Sequence, residues 1–172
     1  MKKKAIIVIG CSQLQIPIMQ AAKKIGFSIL LTDSNPNSPG IKFCDEFKNI
    51  GGNNVEALKD FASENLELYE ILSVYCGSDF GLIALAEIAD FLKIGGPSIN
   101  SVEVALDKFK SKELFLENNI PTPKGRLITK NDSLQLADFT FPLIVKPTDG
   151  SGSRGVQYVK DRKSTRLNSS HQ

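Results

Sequence analysis

The sequence predicts an α/β fold, an open parallel sheet layered with helices, followed by the start of an α+β unit. Three observations carry that expectation. Residues 5–9 (AIIVI) form an unbroken, β-branched aliphatic run closed by Gly10, the pattern of a strand buried on both faces. A helical stretch and a second such run, residues 27–32 (FSILLT), complete a βαβ unit of about 30 residues. Beyond residue 140, two short apolar runs flank a glycine-serine loop, which reads as a hairpin.

Each element follows in order. After the first strand, Leu14, Ile16, Ile18, Met19, Ala22 and Ile25 place apolar groups on one broad helical face, with Pro17 tolerated in the first turn and Gly26 ending the helix. Residues 33–40 (DSNPNSPG) are dense in turn formers after the second strand. Residues 47–50 give a short third strand, and Gly51-Gly52 leads into a helix over 54–64 capped by the Asn54 side chain. Residues 71–75 (ILSVY) give the fourth strand, residues 80–92 a helix, and residues 94–97 a fifth very short strand or a turn. Asn100 and Glu103 resemble a capping box opening one helix that carries Val104, Leu106, Phe109, Leu114 and Phe115. Pro121 and Pro123 stop it. Residues 125–129 predict a strand, 133–137 a short helix, and 141–146 and 156–159 the two arms of the hairpin.

Composition excludes several classes of function. With 172 residues there is room for one domain plus part of another, and 41% hydrophobic against 23% charged residues is a core-forming balance. No stretch approaches the ~20 apolar residues of a membrane-spanning helix, and the first apolar run is too short for a secretion signal. Cys11, Cys44 and Cys76 are widely spaced and not in CxxC form, which argues against a disulfide framework or zinc ribbon and for a reducing cytoplasm. The net charge of +2 comes from residues 161–172; without them 18 bases face 18 acids. A nucleic-acid partner is therefore not expected. Residues 161–171 are themselves similar to the translation of a sequencing-library adapter and are set aside as a non-native tail, with the only histidine, His171, inside it. The native sequence is then expected to continue past Lys160.

Two places could carry chemistry. Gly10-Cys11-Ser12-Gln13 after the first strand, with Asp33 after the second, sits where a dinucleotide fingerprint would, but Ser12 and Gln15 replace its second and third glycines. The second place is Lys146 on its apolar strand with Gly150-Ser-Gly-Ser-Arg-Gly155 beyond it. Glycines let consecutive N–H groups face one concavity, serine hydroxyls add donors, and the lysine supplies charge, so the loop suits a polyphosphate. A lysine among aliphatics predicts a buried ammonium in need of an anion.

Residues 141–156 (FPLIVKPTDGSGSRGV) resemble the first ATP-binding hairpin of the ATP-grasp superfamily, Asp107-Lys108 resembles its "DK", and residues 119–123 (NIPTP) are similar to its "GIPTP" linker. The resemblance implies a Rossmann-like pre-ATP-grasp domain over 1–100 and the N-terminal part of the ATP-grasp domain over 101–160. It implies that Lys108 and Lys146 contact ATP phosphates or adenine N7, and that Ser151, Gly152, Ser153, Arg154 and Gly155 cover the triphosphate. Lys110 and Lys112 are read as a solvated face. Ser12, Gln13 and Asp79, at the carboxyl ends of strands one and four, are the expected substrate contacts. Cys11 and Cys76 are reduced bystanders placed at the same sheet edge.

The implied activity is an ATP-dependent ligase that activates a carboxylate as an acylphosphate for attack by an amine or other nucleophile. The partners are ATP, Mg²⁺ and small carboxylate and amine substrates, and a homodimer is allowed. The Mg²⁺ ligands are expected beyond Lys160, so the chain alone should be inactive. A Rossmann-like dinucleotide-binding oxidoreductase is the competing reading, and a nucleotide-sensing module without the chemistry is a third.

Overall fold

The computed structural model describes residues 1–129 and 140–161. The chain divides into two compact units, residues 1–103 and 104–172. The expected helix over 133–137 and the tail from residue 162 onward lie outside the described residues.

The first unit is an α/β layer. Strands β1 (Lys3–Ile9), β2 (Ser28–Thr32), β3 (Glu46–Lys48) and β4 (Tyr69–Cys76) form one parallel sheet in the order β3-β2-β1-β4. Helix α1 (Ile16–Lys24) covers one face, and α2 (Val55–Asn65) and α3 (Leu82–Phe91) cover the other. Alternation along β1 divides its side chains between two cores: Ala5, Ile7 and Ile9 meet Leu58 and Phe61 of α2 and Ile88 of α3, while Ile6 and Val8 meet Met19 and Ala22 of α1. Burial on both sides is why residues 5–9 lack polar positions.

Local chemistry sets the ends. Gly26 adopts φ +89°, the left-handed position that closes α1. Asn54 caps α2, its Oδ1 accepting the Ala57 N–H at 3.2 Å. Gly40 has no room for a side chain: a Cβ there would stand 1.7 Å from Cys11 Sγ.

Several expectations are corrected. The broad apolar face of α1 is narrow, with Leu14 and Ile25 exposed at 80% and 75%. A nine-residue helix on one sheet face has a single inward stripe, filled here by Met19 and Ala22. Cys11 and Cys76 share the sheet's carboxyl edge but belong to opposite cores. Burial, and after it the Asp33 carboxylate, push the Cys11 thiol up, and burial likewise pushes up that of Cys44. Residues 94–97 form no strand.

The expected single helix after residue 100 is two, α4 (Ile99–Leu106) and α5 (Lys108–Glu117). Asp107 breaks it by adopting extended angles and turning its carboxylate onto the N–H groups of Phe109 and Lys110, at 2.8 and 3.0 Å. The N-terminal cap of α4 is Ser98, whose Oγ accepts the Ser101 N–H at 3.1 Å, so Asn100 lies inside the helix. Residues 125–129 are extended chain rather than a strand. In the second unit β5 (Leu143–Val145) and β6 (Gln157–Val159) pair antiparallel, Ile144 opposite Tyr158.

Candidate functional site

The hairpin loop, the start of α5 and the first residues after β5 enclose a cavity of about 340 Å³. Lys108, Lys146 and Arg154 bring three cations to it, residues 150–153 supply backbone and hydroxyls, and Ile144, Pro147 and Val156 form an apolar wall. The structure thus brings together all the predicted nucleotide residues except Gly155, which acts one step away. Its φ is +72°, and a Cβ would lie 2.8 Å from Pro147 Cγ, so it closes the loop where only glycine fits.

Lys108 has a more specific environment than a free phosphate ligand. Its ammonium donates to the carbonyls of Asp149 at 2.9 Å and Gly150 at 2.7 Å, and its own N–H donates to Thr148 O at 2.8 Å. Because C=O and N–H are antiparallel across a trans peptide, these bonds also orient the N–H groups of Gly150 and Ser151. An ammonium has three donors, so one remains for an anion. The Asp107 cap that begins α5 therefore sets where Lys108 stands, and the Lys110 and Phe109 N–H groups hold its carboxyl below the usual carboxylate range. Arg154 curls back onto the loop, its Nε donating to Ser151 O at 3.3 Å. Gly150, Gly152 and Ser153 all adopt positive φ, which folds the loop into a concavity.

Two sequence expectations change here. Lys146 is exposed rather than buried. The reason is that among the described residues β5 and β6 form a two-stranded sheet, on one face of which Ile144 and Tyr158 are 54% and 64% exposed. Desolvation therefore places no demand on Lys146, and no described carboxylate pairs with it. What points to an anion is convergence of charge and backbone, not a buried ammonium. Lys112 is not simply solvated, because it donates to Thr122 Oγ1 at 3.3 Å and to the carbonyl of Pro123.

The first unit has a second cavity, also about 340 Å³, at the carboxyl ends of its strands. Its walls are Ile9, Gly10, Asp33, Ser34, Gly51, Gly52, Asn53, Ser78, Phe80 and Gly81. Ser12, Gln13 and Asp79 stand beside these residues without lining it. Ser12 Oγ donates to Gln15 Oε1 at 2.5 Å and accepts the Leu14 N–H, a local loop arrangement, and Asp79 opens the short turn before α3. Sequence reasoning missed Ser34, Asn53, Ser78 and Phe80. Their signal was position alone, each lying just past the carboxyl end of a strand. Asp33 binds the chain itself, its Oδ2 accepting the Cys11 N–H at 2.6 Å and its Oδ1 the Asn35 N–H at 2.7 Å.

Among the described residues no group of three or more His, Cys, Asp or Glu side chains could hold a metal, and no helix is long and apolar enough to cross a membrane.

No protein-family model matches the chain. It is 25% identical over 163 residues to the formate-dependent phosphoribosylglycinamide formyltransferase of Prochlorococcus marinus subsp. pastoris, covering 93% of this chain and 41% of that protein. It is 25% identical over 162 residues to a carbamoyl-phosphate synthase of Methanobrevibacter smithii, covering 90% of this chain and 43% of that one. Among solved structures it resembles the N5-carboxyaminoimidazole ribonucleotide synthetase of Thermotoga maritima, with a TM-score of 0.73, 27% identity, and coverage of 94% of this chain and 42% of that chain. It also resembles the biotin carboxylase domain of the Hydrogenobacter thermophilus 2-oxoglutarate carboxylase, a dimer in complex with MgADP and bicarbonate. There the TM-score is 0.76 at 21% identity, with 98% of this chain and 40% of that chain covered. The chain thus spans about two fifths of the length of these proteins. The resemblance to the ATP-grasp superfamily read from the hairpin motifs is shared with these homologues and neighbours, and the first unit has the fold of a pre-ATP-grasp domain. The oxidoreductase reading is not favoured.

Proposed function

We propose that this chain forms the N-terminal part of an ATP-dependent ligase of the ATP-grasp type, which phosphorylates a carboxylate and passes its acyl group to an amine or other nucleophile. The observation that carries the reading is the hairpin cavity, where three cations meet a loop whose backbone is folded concave. ATP bound there supplies the phosphoryl group. Lys146 and the third donor of Lys108 neutralise phosphate oxygens; Ser151, Gly152 and Ser153 give hydroxyl and N–H contacts; Arg154 and Gly155 close the loop. Phosphoryl transfer depends chiefly on positioning and charge neutralisation, which such groups perform without a covalent nucleophile. The Hydrogenobacter thermophilus neighbour is a complex with MgADP, which supports a nucleotide as the ligand.

Among the described residues no cluster of three or more His, Cys, Asp or Glu side chains could hold Mg²⁺, so no step is assigned to the metal. With the apolar face of the hairpin bare, this chain alone binds ATP more weakly than micromolar and does not turn over. The three free thiols suit a reducing cytoplasm, and small carboxylates and amines are the substrates. The residue ranges 1–100 and 101–160 remain our division into pre-ATP-grasp and ATP-grasp parts.

The test is ADP release by the product of the uninterrupted gene, supplied with pooled carboxylates and amines. Lys146→Ala is expected to lower turnover at least about 100-fold, the scale of one lost transition-state donor. Unchanged turnover would remove the site assignment.

A further inference from the structure

We propose that α1 is the surface by which two copies of this chain pair, the helix of one lying antiparallel against the same helix of the other. The inference concerns assembly and stands whether or not the ligase reading holds.

The surface is an apolar stripe that the fold leaves uncovered. Leu14, Ile18, Ala21 and Ile25 are all exposed, Ile18 at 40%, while Met19 and Ala22 between them are buried against the sheet. The chain is wound beyond both ends of α1. Before it the Gln15 N–H donates to Ser12 O at 3.1 Å, and after it the Ile25 N–H donates to Ala21 O at 3.3 Å. At about 100° per residue the four side chains fall within roughly 60° of arc, beside the buried stripe rather than opposite it.

Their spacing selects the occupant. Steps of four, three and four residues are those of alternating d and a positions in a coiled-coil seam, with leucine at the first d and isoleucine at both a positions. The steps read the same from either end, so a second copy running the other way presents matching positions. Leu14 then meets the partner's Ile25, and Ile18 meets the partner's Ala21. Each contact occurs twice, as a two-fold axis requires. The larger side chain of the central pair falls opposite the smaller, which lets the two helices approach closely.

Charge points to the same partner. No acidic or basic side chain lies between Gln13 and Ala22, so a strongly charged partner finds no complement on this stripe. The cations Lys23 and Lys24 stand at the carboxyl end, and Lys23 is paired with Asp45 at 3.2 Å. A parallel pair would bring the two Lys24 side chains together. The antiparallel pair separates them by about 13 Å along the axis, beyond the ~8 Å over which charges act in physiological salt. The stripe is short, and four side chains give less than the ~800 Å² per partner of a standard interface, so the pairing is weak and reversible, with a dissociation constant of about 0.1–1 mM.

The experiment is sedimentation equilibrium of the full 172-residue chain from about 20 µM to 1 mM. A monomer–dimer equilibrium is expected. Ile18→Glu and Ile25→Glu should each weaken it at least about tenfold, because a carboxylate would be buried in the seam. Ile144→Glu, on the exposed hairpin, should leave it within about twofold. Mixing Ile18→Glu chains with Ala21→Lys chains should restore dimers, since antiparallel pairing sets that glutamate against that lysine. Should Ile18→Glu not fold, Ile25→Glu decides, since its side chain lies outside the core. A monomer at every concentration, assembly beyond a dimer, or a loss with Ile144→Glu as large as with the α1 variants overturns the proposal. So do α1 variants that associate like the parent, or mixed chains that pair no better than Ile18→Glu alone. Neither Lys108 nor Lys146 takes part, so failure here leaves the Lys146 test standing, and failure there leaves this one standing.

Discussion

The two units answer the same problem, burying the apolar side of a sheet, to different degrees. In residues 1–103 both faces of a four-stranded sheet are covered, and fourteen buried side chains form one core and seven the other. In residues 104–172 the described sheet has two strands, Val159 is the one buried hydrophobic among the described residues, and α5 buries none. Leu114, Phe115 and Leu116 of α5 and Ile144 and Tyr158 of the hairpin remain exposed. An isolated two-stranded hairpin is marginal in water, so stability and the proposed nucleotide cradle lie in different parts of this chain. The lesson is that the loop's shape is held by local bonds, those of Lys108, Arg154 and the Asp107 cap, and not by a core.

The sharpest way to break this comparison is truncation in each unit. Leu30→Ala removes a fully buried side chain of β2 and is expected to cost about 2–5 kcal/mol in urea unfolding. Ile144→Ala, on a side chain already 54% exposed, should stay within about 0.5 kcal/mol. Comparable losses at the two positions would mean that the hairpin has a core after all.

The same contrast explains what could be read from the sequence. Where packing is dense, periodicity was a faithful guide: an all-aliphatic run can only be satisfied between two layers, so β1, β2 and the helices after them followed from pattern. Where elements end in solvent, pattern gave too much. Leu14 and Ile25 extend the apolar pattern around Met19, but they fall just outside the ends of α1, and the pattern does not say where the helix stops. Lys146 sits in an aliphatic run as a buried lysine would, yet burial needs a second layer, a tertiary fact absent from the run itself. Asp107 was visible through its neighbour Lys108, but its action as a helix breaker depends on a backbone turn that propensity does not encode. The cradle residues were legible because glycine and lysine spacing is local chemistry; the crevice residues were not, because four separate chain segments meet only in the folded sheet.

A smaller effect sharpens the role of Lys108. If its ammonium orders the loop through the Asp149 and Gly150 carbonyls, Lys108→Met should speed amide exchange at Gly150 and Ser151 about tenfold in the ligand-free chain. Lys146→Met, which removes a cation without such bonds, should leave those rates within about twofold. Equal acceleration by both would show that the loop responds to net charge rather than to these two hydrogen bonds.

The smallest expected effect compares the caps of α2 and α5. Asn54 caps α2 with a neutral amide, whereas Asp107 caps α5 with a carboxylate that the N–H groups of Lys110 and Phe109 hold below its ordinary value of 3.8. For a group whose pKa is lowered by folding, the stabilisation is fully present above the unfolded value and fades as pH falls through the lowered one. Carbonyl ¹³C shifts of Lys108 to Ser111 should therefore drift toward coil values below pH 3.8, while those of Val55 to Leu58 hold. A neutral asparagine caps a helix about as well as an aspartate but does not titrate, so Asp107→Asn should abolish the acid drift and preserve the helix at neutral pH. If the acid drift persists in Asp107→Asn, the sensitivity of α5 lies elsewhere, and the chain of support from Asp107 through Lys108 to the glycine loop loses its first link.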